Sequence, residues 1–219
     1  MAKFQQGING PFSGKIGNVI GSNWRGIPYM KSVSKKSTKE RSPKQLKNEQ
    51  EFAIACRWLS PLVDYVREGF DDPSNPKRGY IAAKSYLLDN ALVRKGSDSY
   101  IIASKMLISK GSLPQAADLE MSFDTEACEI NIRWNPVMTE DPADQRRTSF
   151  NDQAMYLAYD FENGDVYGQV YSVLRSTGHC QIALPKNKVA RYHVYVAFHA
   201  ANRKDRSDSR YLGVVEVGG

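Results

Sequence analysis

The spacing of apolar residues changes at about Tyr100, and this change limits the possible folds more than any other feature of the sequence. Before it, apolar residues recur three or four positions apart, as they do on one face of an α-helix. After it, they recur at every second position in short runs separated by turn residues such as Asn163-Gly164, which is typical of β-strands. We therefore expect an α+β chain, with helices first and antiparallel strands after them.

Three helix starts precede this change. Ser42-Pro43 with Gln45 forms a capping box, and Ser60-Pro61 and Asn75-Pro76 repeat the combination of a capping residue and a proline, which suits the first turn of a helix. Apolar residues at helical spacing follow each start. We predict three short helices within roughly 42–93 and then a strand over Tyr100–Ser109.

Seven further strands are predicted in the second half of the chain. They cover 119–123, 129–134, 154–159, 166–174, 180–184, 192–198 and 211–217. Short strands with turns between them and no intervening helix indicate a β-sandwich of the immunoglobulin or fibronectin type III kind. Trp134 and Tyr192 occupy inward positions of their alternating strands, so we expect both to be buried.

The first forty residues have a different character. Glycines at short intervals indicate turns or a close approach of the backbone. The strands 18–20 and 27–30 are expected to form an irregular hairpin around Trp24-Arg25-Gly26. The polar residues 34–41 are expected to form a linker. The chain is thus divided into a basic, glycine-rich arm (1–41), a small helical domain with one strand (42–112) and a sandwich domain (113–219).

The net positive charge of the chain lies in its N-terminal part. Residues 1–50 contain ten Lys or Arg and two Glu, whereas the rest of the chain has 20 basic and 22 acidic residues. Such an asymmetry indicates a segment that binds an acidic surface. That surface could belong to a protein partner, a nucleic acid or an anionic membrane face.

The candidate binding residues are the aromatic and basic residues of the arm. They are Phe12, Lys15, Trp24, Arg25, Tyr29, Lys31, Lys35, Lys36 and Lys39. In one interpretation the aromatic side chains anchor the arm in a neighbouring subunit, since Trp, Tyr and Arg are the usual anchors of interfaces. In the other, the segment Lys15–Lys39 binds nucleic acid, with rings that stack on bases and lysines that contact phosphates.

No pattern indicates catalysis, a metal or a cofactor. The three cysteines lie far apart without CxxC spacing, so free thiols are expected rather than disulfides or a zinc site. His179, His193 and His199 have no nucleophile or carboxylate at the spacing that a catalytic set requires. We expect a protein that is not an enzyme and binds no cofactor.

Neither a membrane-spanning segment nor a signal peptide is recognised in the sequence. A chain made in the cytoplasm is expected, and a virion-like particle is a possible final location. The function predicted from the sequence is that of a structural or interaction protein. Its arm would dock onto a partner subunit or acidic surface, as in a phage-like or other multi-subunit assembly. Nucleic-acid binding by the arm is the alternative.

Three stretches together resemble an uncharacterised family found mainly in Bacteroidetes and catalogued as a domain of unknown function. They are the segment Gly14–Gly26, Asp152-Gln153-Ala154-Met155 and Tyr211-Leu212-Gly213. In addition, Leu184-Pro185 followed by Tyr192 resembles the tyrosine corner of fibronectin type III domains. The resemblance implies an α+β protein with a C-terminal sandwich, and it implies no activity or catalytic residues.

Overall fold

The computed structural model describes residues 3–4, 10–24, 26–35, 40–70, 78–96, 98–136 and 148–218. The chain forms two compact units, Met1–Pro43 (the N-terminal unit) and Lys44–Gly219 (the main unit). The boundary between the two units lies two residues beyond the predicted end of the arm. The second predicted boundary, between residues 112 and 113, falls inside the main unit.

The N-terminal unit contains a four-stranded antiparallel sheet. Its strands β1 (Lys3–Phe4), β2 (Phe12–Ile16), β3 (Val19–Trp24) and β4 (Ile27–Ser32) lie in chain order. The predicted hairpin is confirmed as β3 and β4, which pair from Val19 with Ser32 to Trp24 with Ile27. The amide of Gly26 donates to the side-chain oxygen of Asn23 at 2.8 Å in the turn between them.

The glycines around this hairpin serve a turn and a close approach of the backbone, and the segment Phe12–Ile16 before it is a strand that was not predicted. Gly17, with φ +56°, lies in the two-residue turn that joins β2 to β3, where glycine adopts the left-handed conformation without strain. Gly21 is required for a different reason, because a Cβ there would lie 2.2 Å from the carbonyl oxygen of Phe12 and 2.6 Å from its ring. The ring of Phe12 therefore packs directly over the backbone of β3.

The main unit begins with two helical stretches. Helix α1 (Pro43–Leu59) continues through a single 3-10 turn (Ser60–Leu62) into α2 (Val63–Gly69), and α3 (Arg78–Tyr86) continues into a π-helical turn (Leu87–Ala91). The count thus differs from the predicted three separate helices, because the first two form one stretch. Pro61 is accommodated in the first turn after α1, where its missing amide costs little. The third predicted start, Asn75-Pro76, lies outside the described residues.

The predicted strand Tyr100–Ser109 is wrong. Strand β6 covers only Asp98–Ile101 and forms a hairpin with β5 (Leu92–Lys95), and a 3-10 turn follows at Ala103–Lys105. The alternation continues beyond the strand because Met106 and Ile108 are buried in the core beneath the helices. A two-residue period therefore reflects burial on one side of an extended chain, and it does not require a paired strand.

In the described residues that follow, seven strands form two antiparallel sheets. Their strands are β7 (Ala117–Asp124), β8 (Glu129–Asn135), β9 (Gln153–Asp160), β10 (Asp165–Leu174), β11 (His179–Ala183), β12 (Ala190–His199) and β13 (Arg210–Val217). The sheet orders are β11-β8-β7 and β10-β9-β12-β13. All seven strands predicted after residue 115 are confirmed, and we call the part from Ala117 to Val217 the two-sheet region.

In the sheet β10-β9-β12-β13, the central strands β9 and β12 are buried on both faces. On one face, Tyr156 and Val196 share a core with Ile132 of the three-stranded sheet. On the other, Leu157 and Tyr159 pack against the helices. There the Tyr159 hydroxyl donates to the carbonyl of Trp58 at 2.8 Å, and the two rings meet edge to face at 5.1 Å. The protein is therefore a mixed α/β chain that consists mostly of strands. Its helices cover one face of the sheet β10-β9-β12-β13.

Trp134 and Tyr192 are both buried, as predicted. Trp134 lies edge to face with Phe198 at 5.4 Å between ring centres and donates its indole N–H to the carbonyl of Arg175 at 2.7 Å. Tyr192 packs edge to face against Tyr167 at 5.7 Å. Among the described residues its hydroxyl makes no hydrogen bond to the backbone, so the bond expected of a tyrosine corner is absent there.

Candidate partner-binding face

The pairing of β2, β3 and β4 places aromatic and basic side chains on one face of the N-terminal sheet. Residues directly opposite each other in neighbouring strands share a face. The register pairs Trp24 with Ile27, Ser22 with Tyr29, and Ile20 with both Lys31 and Lys15. We call this face, made up of Lys15, Ile20, Ser22, Trp24, Ile27, Tyr29 and Lys31, the basic aromatic face.

This face exposes large apolar side chains to an unusual extent. Trp24 is 62% exposed, Ile27 64% and Tyr29 42%. The exposed residues adjoin one another on neighbouring strands, and contiguous exposed apolar surface of this kind marks interaction sites more often than scattered single residues do. The ammonium group of Lys31 lies 6.0 Å from the centre of the Tyr29 ring, within cation–π range.

Only some of the predicted binding residues lie on this face. Lys15, Trp24, Tyr29 and Lys31 share it, whereas Phe12 packs over Gly21 on the opposite face. Lys35 is exposed beyond the end of β4. Arg25, Lys36 and Lys39 lie outside the described residues.

Sequence reasoning missed Ile27 as part of the face. The available signal was the run Ile27-Pro28-Tyr29-Met30, which shows no alternation of apolar and polar residues. A proline favours an edge strand, and β4 is indeed the edge of its sheet. An edge strand without alternation has apolar side chains on both faces, and Met30 is correspondingly exposed on the other face.

The electrostatic character of the N-terminal unit supports the same assignment. Residues 1–43 include eight Lys or Arg and one Glu. The formal net charge of the whole chain is +6, so the charge of the main unit is close to zero. A local excess of this kind attracts acidic partners and accelerates their association.

A buried ion pair was also missed by sequence reasoning. Asp152 accepts from the amide of Ser149 at 2.9 Å and from the guanidinium of Arg175 at 3.3 Å. Arg175 also donates to the carbonyl of Pro114 at 2.6 Å and lies 4.7 Å above the Phe198 ring. Burial raises the pKa of Asp152, an effect that the amide hydrogen bonds and the charge of Arg175 oppose. The pair connects the chain before β9 to the turn after β10.

A cavity of about 350 Å³ adjoins this pair and is lined by residues that include Asp152, Thr148 and Asp205. One carboxylate oxygen of Asp152 has no hydrogen-bond partner among the described residues, although the Ala201 amide is near enough to help lower the pKa of the carboxyl group. Buried oxygens of this kind are normally satisfied by ordered water. We assign the pair a structural role.

Three further ionisable side chains are buried or half-buried in the main unit. Glu51 accepts a bidentate pair of hydrogen bonds from Arg94, Nε to Oε1 and Nη2 to Oε2, both at 3.0 Å. The pair attaches the β5–β6 hairpin to α1 and lowers the pKa of Glu51. The ring of His193 is 2.9 Å from the Tyr211 hydroxyl. Burial and the nearby Arg206 charge lower the pKa of His199 to about 4.

In the described part of the chain, no group of three or more His, Cys, Asp or Glu side chains could hold a metal ion. No helix of that part is long and apolar enough to cross a membrane. The three cysteines are free thiols, and burial raises the pKa of Cys180 to about 12.

Fold and site together define a mixed α/β protein, mostly of strands, whose N-terminal sheet carries an exposed basic and aromatic face. The sequence matches the model of a family of unknown function, DUF6266, over residues 11–213. The chain therefore belongs to the DUF6266 family, and the match includes β2, β3 and β4. No curated protein and no solved structure matches the chain significantly.

Proposed function

We propose that the protein is a non-enzymatic interaction protein whose N-terminal sheet docks onto an acidic surface of a partner. The observation that carries this proposal is the basic aromatic face, where Trp24 and Tyr29 are exposed beside Lys15 and Lys31. Exposed aromatic side chains supply the apolar contact area of an interface. Lysines on the same face supply charge complementarity and favour fast association.

The architecture of the two-sheet region supports a binding role. One sheet contains β7, β8 and β11, and the other contains β10, β9, β12 and β13. Counted from β7, these are strands one, two and five in one sheet and strands four, three, six and seven in the other. We propose that this is an immunoglobulin-like sandwich of fibronectin type III kind, with Trp134 of β8 in its core. Such sandwiches commonly act as scaffolds for binding.

The biological setting that we propose is a larger multi-subunit assembly, with a virion-like particle as one example. In that setting the main unit would be the body of the subunit and the N-terminal sheet its contact with a neighbour. The near-neutral main unit and the basic N-terminal unit fit a division between a scaffold and a docking element.

We expect the lysines of the basic aromatic face to contribute more to polyanion binding than other lysines do. The probe is heparin, a polyanion without bases, titrated against the full chain at several salt concentrations. The double variant Lys15→Glu/Lys31→Glu should reduce the log–log salt slope by about 2, because each lysine lost removes about one ion contact. The matched control, Lys105→Glu/Lys204→Glu, changes two exposed lysines of the main unit.

Both double variants lower the formal net charge from +6 to +2, since each Lys→Glu change removes two units. The two double variants differ only in the position of the lysines that are changed. A salt slope that falls equally in both variants would mean that total charge, and not this face, governs binding, and the proposed docking site would then be wrong.

A further inference from the structure

The basic aromatic face has the features of a platform for single-stranded nucleic acid. Trp24 and Tyr29 lie on adjacent strands, with Trp24 opposite Ile27 and Tyr29 two residues further along β4. This diagonal relation separates two positions of a sheet by about 7–8 Å. A four-stranded sheet that presents aromatic side chains in this way can stack two or three bases of an unpaired strand.

The two lysines of the face lie beyond the two aromatic rings. Lys31 follows Tyr29 by two residues on β4, and Lys15 lies across Ile20 from Lys31. A strand whose bases lie on the two rings would meet two ammonium groups further along the same face. The sequence has no acidic residue before Glu40, so no carboxylate of this segment repels the phosphates.

We infer that the partner of the basic aromatic face is a single-stranded nucleic acid, whose bases stack on Trp24 and Tyr29 and whose phosphates contact Lys15 and Lys31. This inference rests on the proposed function, because it names the chemistry of the acidic partner. What favours an unpaired strand over an acidic protein surface is the order of the face, in which two rings are followed by two ammonium groups, because bases and phosphates alternate in position along such a strand. In a duplex the bases are paired and their faces are covered, so stacking requires an unpaired strand.

Trp24 provides a direct signal for this binding. The chain has three tryptophans, and the other two, Trp58 and Trp134, are 2% and 4% exposed. A base that stacks on Trp24 should quench its fluorescence, whereas the two buried rings are unaffected. The titration uses the full chain with single-stranded DNA and RNA of about ten nucleotides, within the usual site size, and with the DNA duplex of the same length.

We expect both single strands to bind more tightly than the duplex and to quench the fluorescence. Trp24→Ala should weaken single-strand binding about 5- to 150-fold, the loss that one stacked base represents, when binding is followed by the anisotropy of a labelled strand. Trp24→Phe retains a ring and should stay within a few-fold of wild type. Tyr29→Ala should weaken binding in the same range, which provides a second variant if Trp24→Ala misfolds.

The outcomes separate this inference from the proposed function. If the duplex binds as tightly as the single strands, or if Trp24→Ala and Tyr29→Ala bind like wild type, base stacking is refuted. In that case a heparin slope that still depends on Lys15 and Lys31 identifies an acidic partner other than unpaired nucleic acid. If the heparin slope does not depend on these lysines either, the docking face itself is refuted.

Discussion

Replacing Asp152 by alanine is expected to lower the free energy of unfolding by about 3–5 kcal/mol. The side chains of Asp152 and Arg175 are 1% and 4% exposed, so the variant leaves a guanidinium group buried without its carboxylate. The loss of an opposite buried charge is among the few single changes with so large an effect. Urea unfolding followed by circular dichroism measures it.

The exposed pair of Arg191 and Glu216 provides the matched control. Its N–O distance is 3.2 Å, but its side chains are 62% and 71% exposed, so Glu216→Ala should cost no more than about 1 kcal/mol. The double variant Asp152→Leu/Arg175→Met removes both buried charges and should recover most of the loss. If Asp152→Ala lowered the free energy of unfolding as little as Glu216→Ala does, the burial of the ion pair would be contradicted.

Replacing Trp134 by alanine is expected to cost about 3–5 kcal/mol. The change leaves a cavity between the two sheets, beside the ring of Phe198. It also removes the indole donor from the buried carbonyl of Arg175. Denaturant unfolding followed by circular dichroism is suitable, because the variant loses one of the fluorescent residues.

Trp24→Ala is the matched control, because it makes the same substitution at an exposed tryptophan. The same side chain is removed, but Trp24 is largely exposed, and exposed substitutions usually change stability by less than about 0.5 kcal/mol. We expect a large difference between the two variants. Equal losses would contradict the assignment of one tryptophan to the core and the other to a binding surface.

The strands of the two-sheet region could be predicted because most of them are covered more on one face than on the other. In β8, Ile130, Ile132 and Trp134 are buried and the residues between them are less so. Strand β9 differs, since Ala154–Asp160 is buried throughout. Its sequence indicates a strand, but a local pattern cannot show which element covers the second face. The packing of the helices on that sheet is therefore visible only in three dimensions.

Cap signals located the helices better than they separated them. Ser42-Pro43 does mark the start of α1. Ser60-Pro61 has the same form, yet it forms a 3-10 turn within one helical stretch. Proline is as acceptable in such a turn as at a new start, and so the dipeptide alone does not distinguish the two.

Composition identified the candidate face only in part. The aromatic and basic residues of the arm were evident from the sequence, and Trp24, Tyr29 and Lys31 fall on one face by the period of the hairpin alone. Lys15 joins them through the register of β2, and that strand was not predicted. Asp152 and Arg175 are 23 residues apart, so only the folded chain brings this pair together.

The central claim is that β2, β3 and β4 bind the partner, and hydrogen exchange of the full chain locates binding most directly. Amide exchange, measured by mass spectrometry with and without heparin, reports the slowing of local opening in each segment. We predict added protection in peptides that cover residues 12–32 and unchanged exchange in the two-sheet region. Protection confined to the two-sheet region, with exchange at 12–32 unchanged, would contradict the account.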